Sequence, residues 1–314
     1  MKYRLFFIIL FSSTAFSQTW NISEKIFTKE NHGIYDTIAV KDPSIVYYEN
    51  QWHLFYTTLG IGYAKAPTLQ EFKHARHMHV DSARGIRSLY AVSPQVFYFE
   101  PQKLWYLIYH TRDAYYQPMF STTKTIDQPL SWSGPSLLVE KTDTAKWIDF
   151  WVICDDSSAY LYYTRAHKDV YVMTTNITDF PKGFSQPSKI FSGVHESSHV
   201  YKVKGKQEYD MIYELRTDNI RSFGMAVAQH PLGPWNRISD EYATGAQLQF
   251  PNGVERWTDQ ISQGEIIRTG NDQWLEYDPQ ETRIIIQGML KSEQGTLPYG
   301  LYPWNLGIIT KVQK

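Results

Sequence analysis

Residues 42–57 read DPSIVYYENQWHLFYT, and residues 93–111 read SPQVFYFEPQKLWYLIYHT. In both, a polar residue opens an apolar strand, a tight turn comes next, and a second apolar strand returns. DFWVICDDSSAYLYYT (149–164) and ESSHVYKVKGKQEYDMIYEL (196–215) align with them without a gap. A fifth, weaker copy starts near Gln260 in QISQGEIIRTGNDQWLEYD. The copies start roughly every 50 residues, a period that signals a repeat architecture.

The segments after the hairpins recur as well. GIGYAKAP, PMFSTTKTI, VYVMTTNI and RSFGMAVAQ suggest a second strand pair, and LSWSGP, FPKGFSQP and LGPWN are loops closed by an aromatic residue. A unit of about 50 residues with four short strands is the pattern of a propeller blade. Helical periodicity is nearly absent. The sequence therefore predicts an all-β chain folded as a single five-bladed β-propeller over 18–314, with 18–40 an N-terminal extension placed to help close the ring.

The first strand of each blade lines the central channel of a propeller. The gap-free alignment puts Asp42, Ser93, Asp149 and Glu196 at one position, at the start of that strand. Asp149 stands among Trp147, Ile148, Phe150 and Trp151, where burying an unpartnered carboxylate costs several kcal/mol or more. Each acid alone has an ordinary explanation: an Asp before Pro forms turns, and a lone Glu sits in solvent. Three acids in one register predict a shared pocket at one mouth of the channel. Carboxylates so placed push one another's pKa values apart and can supply the base and the acid that glycoside hydrolysis requires.

The chain has 314 residues, 42% of them hydrophobic, with 31 Lys and Arg against 32 Asp and Glu. This near-neutral balance argues against a nucleic-acid partner, whose binding rests on many basic contacts. Aromatic residues make up 16%; strand-rich core and sugar-stacking surface both account for them. Lys2 and Arg4 precede LFFIILF at 5–11, and SSTAFSQ comes directly after it. This is the layout of a secretory signal peptide over 1–17, too short in its apolar run for a membrane span. A secreted or periplasmic monomer is expected, off the membrane once the signal is cleaved. With Cys154 the sole cysteine, no intrachain disulfide can form.

KDPSIVYY, SPQVFYFEPQKLWYLIY, WIDFWVICDD, HESSHVYKVKGKQEYDMIYE, RSFGMA and PYGLYPWNLGIIT together resemble glycoside hydrolase family 62, over roughly residues 40–312. The resemblance implies a secreted α-L-arabinofuranosidase that removes arabinose side chains from arabinoxylan with inversion, on the five-bladed propeller shared with family 43. It makes Asp42 the general base, Glu196 the general acid, and Asp149 the carboxylate that raises and orients that acid. Lys41, Arg221 and Tyr299 match positions that hold or border the arabinose. Three positions depart from the family pattern. In WTDQISQG, Gln263 replaces a histidine tied to a central calcium ion, so a structural Ca2+ with Gln263 as ligand is an expectation resting on a changed residue. Asn305 replaces an arginine in PWNLG, and Gln280 replaces a cysteine after Asp278-Pro279.

Other readings use the same residues. A family 43-like arabinanase or β-xylosidase would use the same three acids, and a non-catalytic sugar-binding propeller would be expected to lack one. The three histidines of HARHMH (74–79) read as a surface loop rather than a metal site. His199 either borders the channel or is a core histidine, and Cys154 reads as core.

Overall fold

The computed structural model describes residues 18–30, 39–80, 91–111, 118–141 and 143–313. The expected signal segment, 1–17, lies outside them. Five largely antiparallel sheets make up the described residues, and in the first four blades the first strand in the chain is the inner one. Blade one is Lys41–Tyr48, Gln51–Thr58, Gly60–Ala66 and Met78–His79. Blade two is Val92–Phe99, Leu104–His110, Pro118–Thr123 and Ser136–Leu137. Blade three is Trp147–Cys154, Ser158–Arg165, Asp169–Asn176 and Ser188–Ser192. Blade four is Glu196–Val203, Tyr209–Thr217, Ile220–Ala228 and Asn236–Ala243.

Blade five departs from the expected hairpin. Its inner strand, Gln260–Ile266, pairs with Arg283–Met289 rather than with the nearby QWLEY. Within that segment Glu276–Tyr277 instead adds in parallel to the end of the inner strand of blade four. The third strand is Asn305–Lys311, and the fourth is Trp20–Ile22 from the N-terminus. The extension thus closes the ring as an outer strand, joining the first and last described strands in one sheet.

Every inner strand carries a bulge next to its start, where the pairing register slips. At each bulge one non-glycine residue is left-handed: Asp42 (φ 50°), Ser93 (52°), Asp149 (57°), Ser197 (56°) and Gln263 (25°). This conformation costs an L-residue roughly 1–2 kcal/mol, with Asp among the types that tolerate it best. These five residues, rather than the four that align in sequence, are the equivalent positions. Glu196 precedes Ser197 and shares its register with Lys41, because the sequence alignment matches acid to acid where the backbone matches bulge to bulge.

The bulges also join the blades. A residue of the preceding blade captures the freed amide of four of them. Asp42 N–H donates to Gln287 Oε1 (2.7 Å) and Ser93 N–H to Thr57 Oγ1 (2.8 Å). Ser197 N–H donates to Asp149 Oδ2 (3.0 Å) and Gln263 N–H to Glu214 Oε2 (2.8 Å). Deeper in the channel, Gln95 makes paired 2.7 Å bonds with the Val152 backbone. Arg268 donates to the carbonyls of Ile45 and Val96 while pairing with Glu265 at 2.7 Å. Apolar and aromatic residues fill the space between sheets, as where Trp151 lies flat on His199, 4.1 Å between ring centres.

Trp20 is fully buried and its Nε1–H donates to Tyr242 O at 3.0 Å. Trp20→Ala should cost about 3–5 kcal/mol, the range for losing a large aromatic from a core. Urea unfolding would read this as a lower midpoint, and an unchanged midpoint would show that the closing strand contributes nothing.

Candidate active site

The three acids named from the sequence meet in one cavity of about 110 Å³ at the bulge end of the channel. Asp42 and Asp149 reach it from their left-handed bulges, and Glu196 from the residue before one. Lys41, Ser93, Gln263 and Tyr299 also line it. Tyr299 is 38% exposed, on a short 3-10 turn at 299–301. Its ring lies 4.9 Å from Lys41 Nζ and 5.0 Å from the Arg221 guanidinium, a cation–π arrangement that fixes the ring between two charges.

Asp149 is buried, and its carboxylate is bonded across the blade boundary. Oδ2 accepts the Ser197 N–H at 3.0 Å and lies 3.4 Å from the Ser197 hydroxyl oxygen. Burial, then the charges of Glu196 and Asp42, push its pKa up to about 7.

Glu196 has the opposite surroundings. Arg221 Nη1 bonds its Oε1, while His167 Nδ1 stands 3.3 Å and His195 Nε2 3.7 Å from Oε2. Burial works to raise this carboxyl, but the Arg221 charge and the His167 hydrogen bond hold it well below the usual carboxylate range. In this geometry Arg221, rather than Asp149, dominates its protonation. Lys146 Nζ is 3.1 Å from His167 Nε2, so the lysine donates there and His167 Nδ1–H is left to face Glu196.

A second cavity of about 330 Å³ adjoins the first. Lys146, His167, Glu196 and Tyr299 line both. Arg221, Arg216, Gln294 and Tyr302 line only the second, whereas Asp42 and Asp149 line only the first.

Of the residues singled out from the sequence, Lys41, Asp42, Asp149, Glu196, Gln263 and Tyr299 share the small cavity, and Arg221 stands behind Glu196. His110, Lys146 and His167 line it unannounced, and the buried Glu214 stands unannounced behind Arg221, where it binds the same Nη1. His167 sits in the turn between the second and third strands of blade three, where the sequence RAHK carries no distinguishing pattern. His199 resolves as a core histidine: its Nδ1 is 2.9 Å from Gly264 O, and burial lowers its pKa to about 4. Cys154 is buried. In HARHMH, His77 bonds the Tyr56 hydroxyl and packs edge-on against His79.

Calcium takes six to eight oxygen ligands. Gln263 Oε1 already accepts the Ser197 hydroxyl, and although Asp42, Asp149 and Glu196 line the same cavity, among the described residues these three do not converge into a cluster that could hold an ion. These residues do not fit the expected calcium site. His167, His195 and Glu196 do place their ligand atoms within 4.8 Å of one another. Such an imidazole-rich set suits transition metals rather than calcium, and Arg221 and Lys146 hold cationic groups against it.

The model of glycosyl hydrolase family 62 matches residues 23–310. The chain belongs to glycosyl hydrolase family 62. It is 32% identical over 302 residues to alpha-L-arabinofuranosidase C of Cellvibrio japonicus, covering 92% of this chain and 46% of that protein. The chain thus spans about half the length of this relative. The catalytic domain of a Coprinopsis cinerea GH62 alpha-L-arabinofuranosidase superposes with a TM-score of 0.87 at 29% identity, covering 94% of this chain and 98% of that one. A GH62 hydrolase solved in complex with xylotriose superposes with a TM-score of 0.85 at 27% identity, covering 94% and 97%.

Two outcomes are expected from this site. Asp149 binds a proton more tightly folded, near pH 7, than unfolded, near 3.8. Stability is therefore lost as pH rises between those values and is level above them. Asp149→Asn removes that loss, so the variant should match the parent near pH 4 and exceed it above pH 7, by roughly 2–4 kcal/mol at most. Chemical denaturation across this range checks it, and a variant that is weaker at high pH would contradict it. Second, excess chelator should leave the melting temperature unchanged; a fall of several degrees would place an ion on Gln263 after all.

Proposed function

We propose that this protein is an exported α-L-arabinofuranosidase that removes arabinose side chains from arabinoxylan with inversion. The observation that carries the reading is the place of Glu196 on the wall between two cavities, with Asp42 and Asp149 confined to the smaller. A general acid must touch the bond between the sugar that is cleaved and the group that leaves, whereas a base works on the far side of the cleaved sugar.

The small cavity fits one sugar. At the roughly 10–15 Å³ that a single water requires, about 110 Å³ holds some seven to eleven heavy atoms. A pentosyl unit has about nine. The larger cavity, lined by Tyr299, Tyr302, Arg216 and Gln294, offers rings and hydrogen-bond donors to a chain that stays behind. The xylotriose in a family 62 relative supports a xylan backbone there. In this reading Glu196 protonates the departing xylose oxygen, and Asp42 deprotonates a water on the opposite face of the furanose. Lys41 and Tyr299 border the arabinose, and Arg221 stands behind Glu196 on the side of the larger cavity. Export rests on the charged and apolar N-terminal run.

Purified protein should release arabinose alone from wheat arabinoxylan, with the β-anomer seen first by NMR. Release of xylose or of arabino-oligosaccharides would point to another activity on this fold. Glu196→Ala should lose about 10²–10⁴-fold on arabinoxylan, whose leaving group needs a proton, and far less on an aryl arabinofuranoside with an acidic phenol. Asp42→Ala should be nearly inactive on both, since water needs activation whatever leaves. The reverse pattern would exchange the two roles.

A further inference from the structure

Glu214 lies opposite Glu196 in the strand pairing of blade four. Its side chain has no exposed surface and lines neither cavity. It holds the register position of Thr57 in blade one and Gln287 in blade five. All three accept the bulge amide of the next blade. A neutral oxygen suffices for that task, as Thr57 and Gln287 demonstrate. Glu214 therefore brings a charge that the fold does not require, into a place where burying one is costly.

That charge faces Arg221, whose Nη1 bonds both Glu196 Oε1 and Glu214 Oε1. We propose that Glu214 is the counter-ion that releases Glu196 to donate its proton: ionised Glu214 holds the Arg221 charge, and the proton the pair shares then resides on Glu196. The exchange converts a protonated Glu214 and an ionised Glu196 into an ionised Glu214 and a protonated Glu196. One proton moves and the net charge of the site is unchanged. Glu214 is on this account a positioning residue, and the proposal rests on Glu196 being the general acid.

The surroundings supply both ends of the exchange. Glu196 faces Arg221 and His195 from blade four, Asp149 and His167 (with Lys146 behind) from blade three, Asp42 from blade one, and Tyr299 from the C-terminal turn. Glu214 faces Arg221, Glu196, the Ser262 hydroxyl at 2.7 Å and the Gln263 amide. Without substrate, burial and the Glu196 charge push Glu214 up to about 8, while Arg221 keeps Glu196 ionised. A sugar filling the cavity strips water from Glu196 and disfavours its charged form. Three donors already point at Glu214 to stabilise the charge it then takes up.

Glu214→Gln tests this, because an amide oxygen keeps the bulge contact, as Gln287 does, and removes only the charge. Arg221 would then act on Glu196 alone and hold it ionised to lower pH. On arabinoxylan at pH 7, kcat/KM should fall about 100-fold or more, against less than about tenfold on the acidic aryl arabinofuranoside. The basic limb of the arabinoxylan profile should move at least about one pH unit lower, so activity recovers on acidification. Equal losses on both substrates at every pH, or an unmoved basic limb, would overturn the proposal and leave Glu214 a simple amide cap. If the Gln variant does not fold, Ser262→Ala removes one donor from ionised Glu214 and should hold the shared proton on Glu214, lowering kcat/KM on arabinoxylan more than on the acidic aryl arabinofuranoside; no loss, or an equal loss on both, also overturns it. A parent protein inactive on both substrates would instead overturn the activity reading itself.

Discussion

The bulge beside the start of each inner strand is the constraint on which the rest of the molecule depends. A flat strand would place alternate side chains into the channel and between blades in strict succession. One left-handed residue breaks that succession and turns a backbone N–H out of its ladder. Four of the five freed amides are taken up by a side chain from the blade before. The same local distortion therefore sets the angle at which strands enter the channel, bonds neighbouring blades, and aims Asp42 and Asp149 into one cavity. Backbone strain and function coincide at these positions, as they often do.

Electrostatics explains why so acidic a cluster can exist in a buried place. Asp42, Asp149, Glu196 and Glu214 lie within reach of one another's charge, and Lys41, Lys146 and Arg221 balance them. The balance is uneven. Asp149 has only hydrogen bonds from Ser197 and Ser93 to offset burial and so holds a proton up to about pH 7. Glu196 has a guanidinium and two imidazoles. The division of protons among these groups depends on which strand each cation stands on, not on the acids themselves.

Much of this is legible in the chain. The hairpin repeat announces five blades because each copy has its own turn and its own pair of apolar strands. Asp42 and Asp149 stand out because an acid in an apolar strand is expensive. The register of Glu196 is hidden because a bulge adds a residue without any residue type that marks it; Ser197 looks no more left-handed in sequence than Ser198. The second strand of blade five is hidden because residues 267–282 separate it from its partner and contain a stretch, QWLEY, that reads equally well as a strand. Glu214 gives no signal at all, since an acid in YDMIYEL is indistinguishable from one at a strand's exposed end until its neighbours are known.

The closing sheet places Trp20–Ile22 beside Asn305–Lys311, so the first described strand and the last are neighbours. During synthesis the earlier strand emerges with no partner and waits for nearly the whole chain. Blades one to four can each form from local hairpins, which are quick to nucleate, but the ring cannot lock until the final strand arrives. Such long-range pairing is slow, because its loop-closure entropy precedes any gain. A chain cut short near its C-terminus would leave unsatisfied strand edges at both sides of the gap, open to pairing with other molecules. The joint that makes the finished protein rigid is thus also the step at which an unfinished one is most exposed to aggregation.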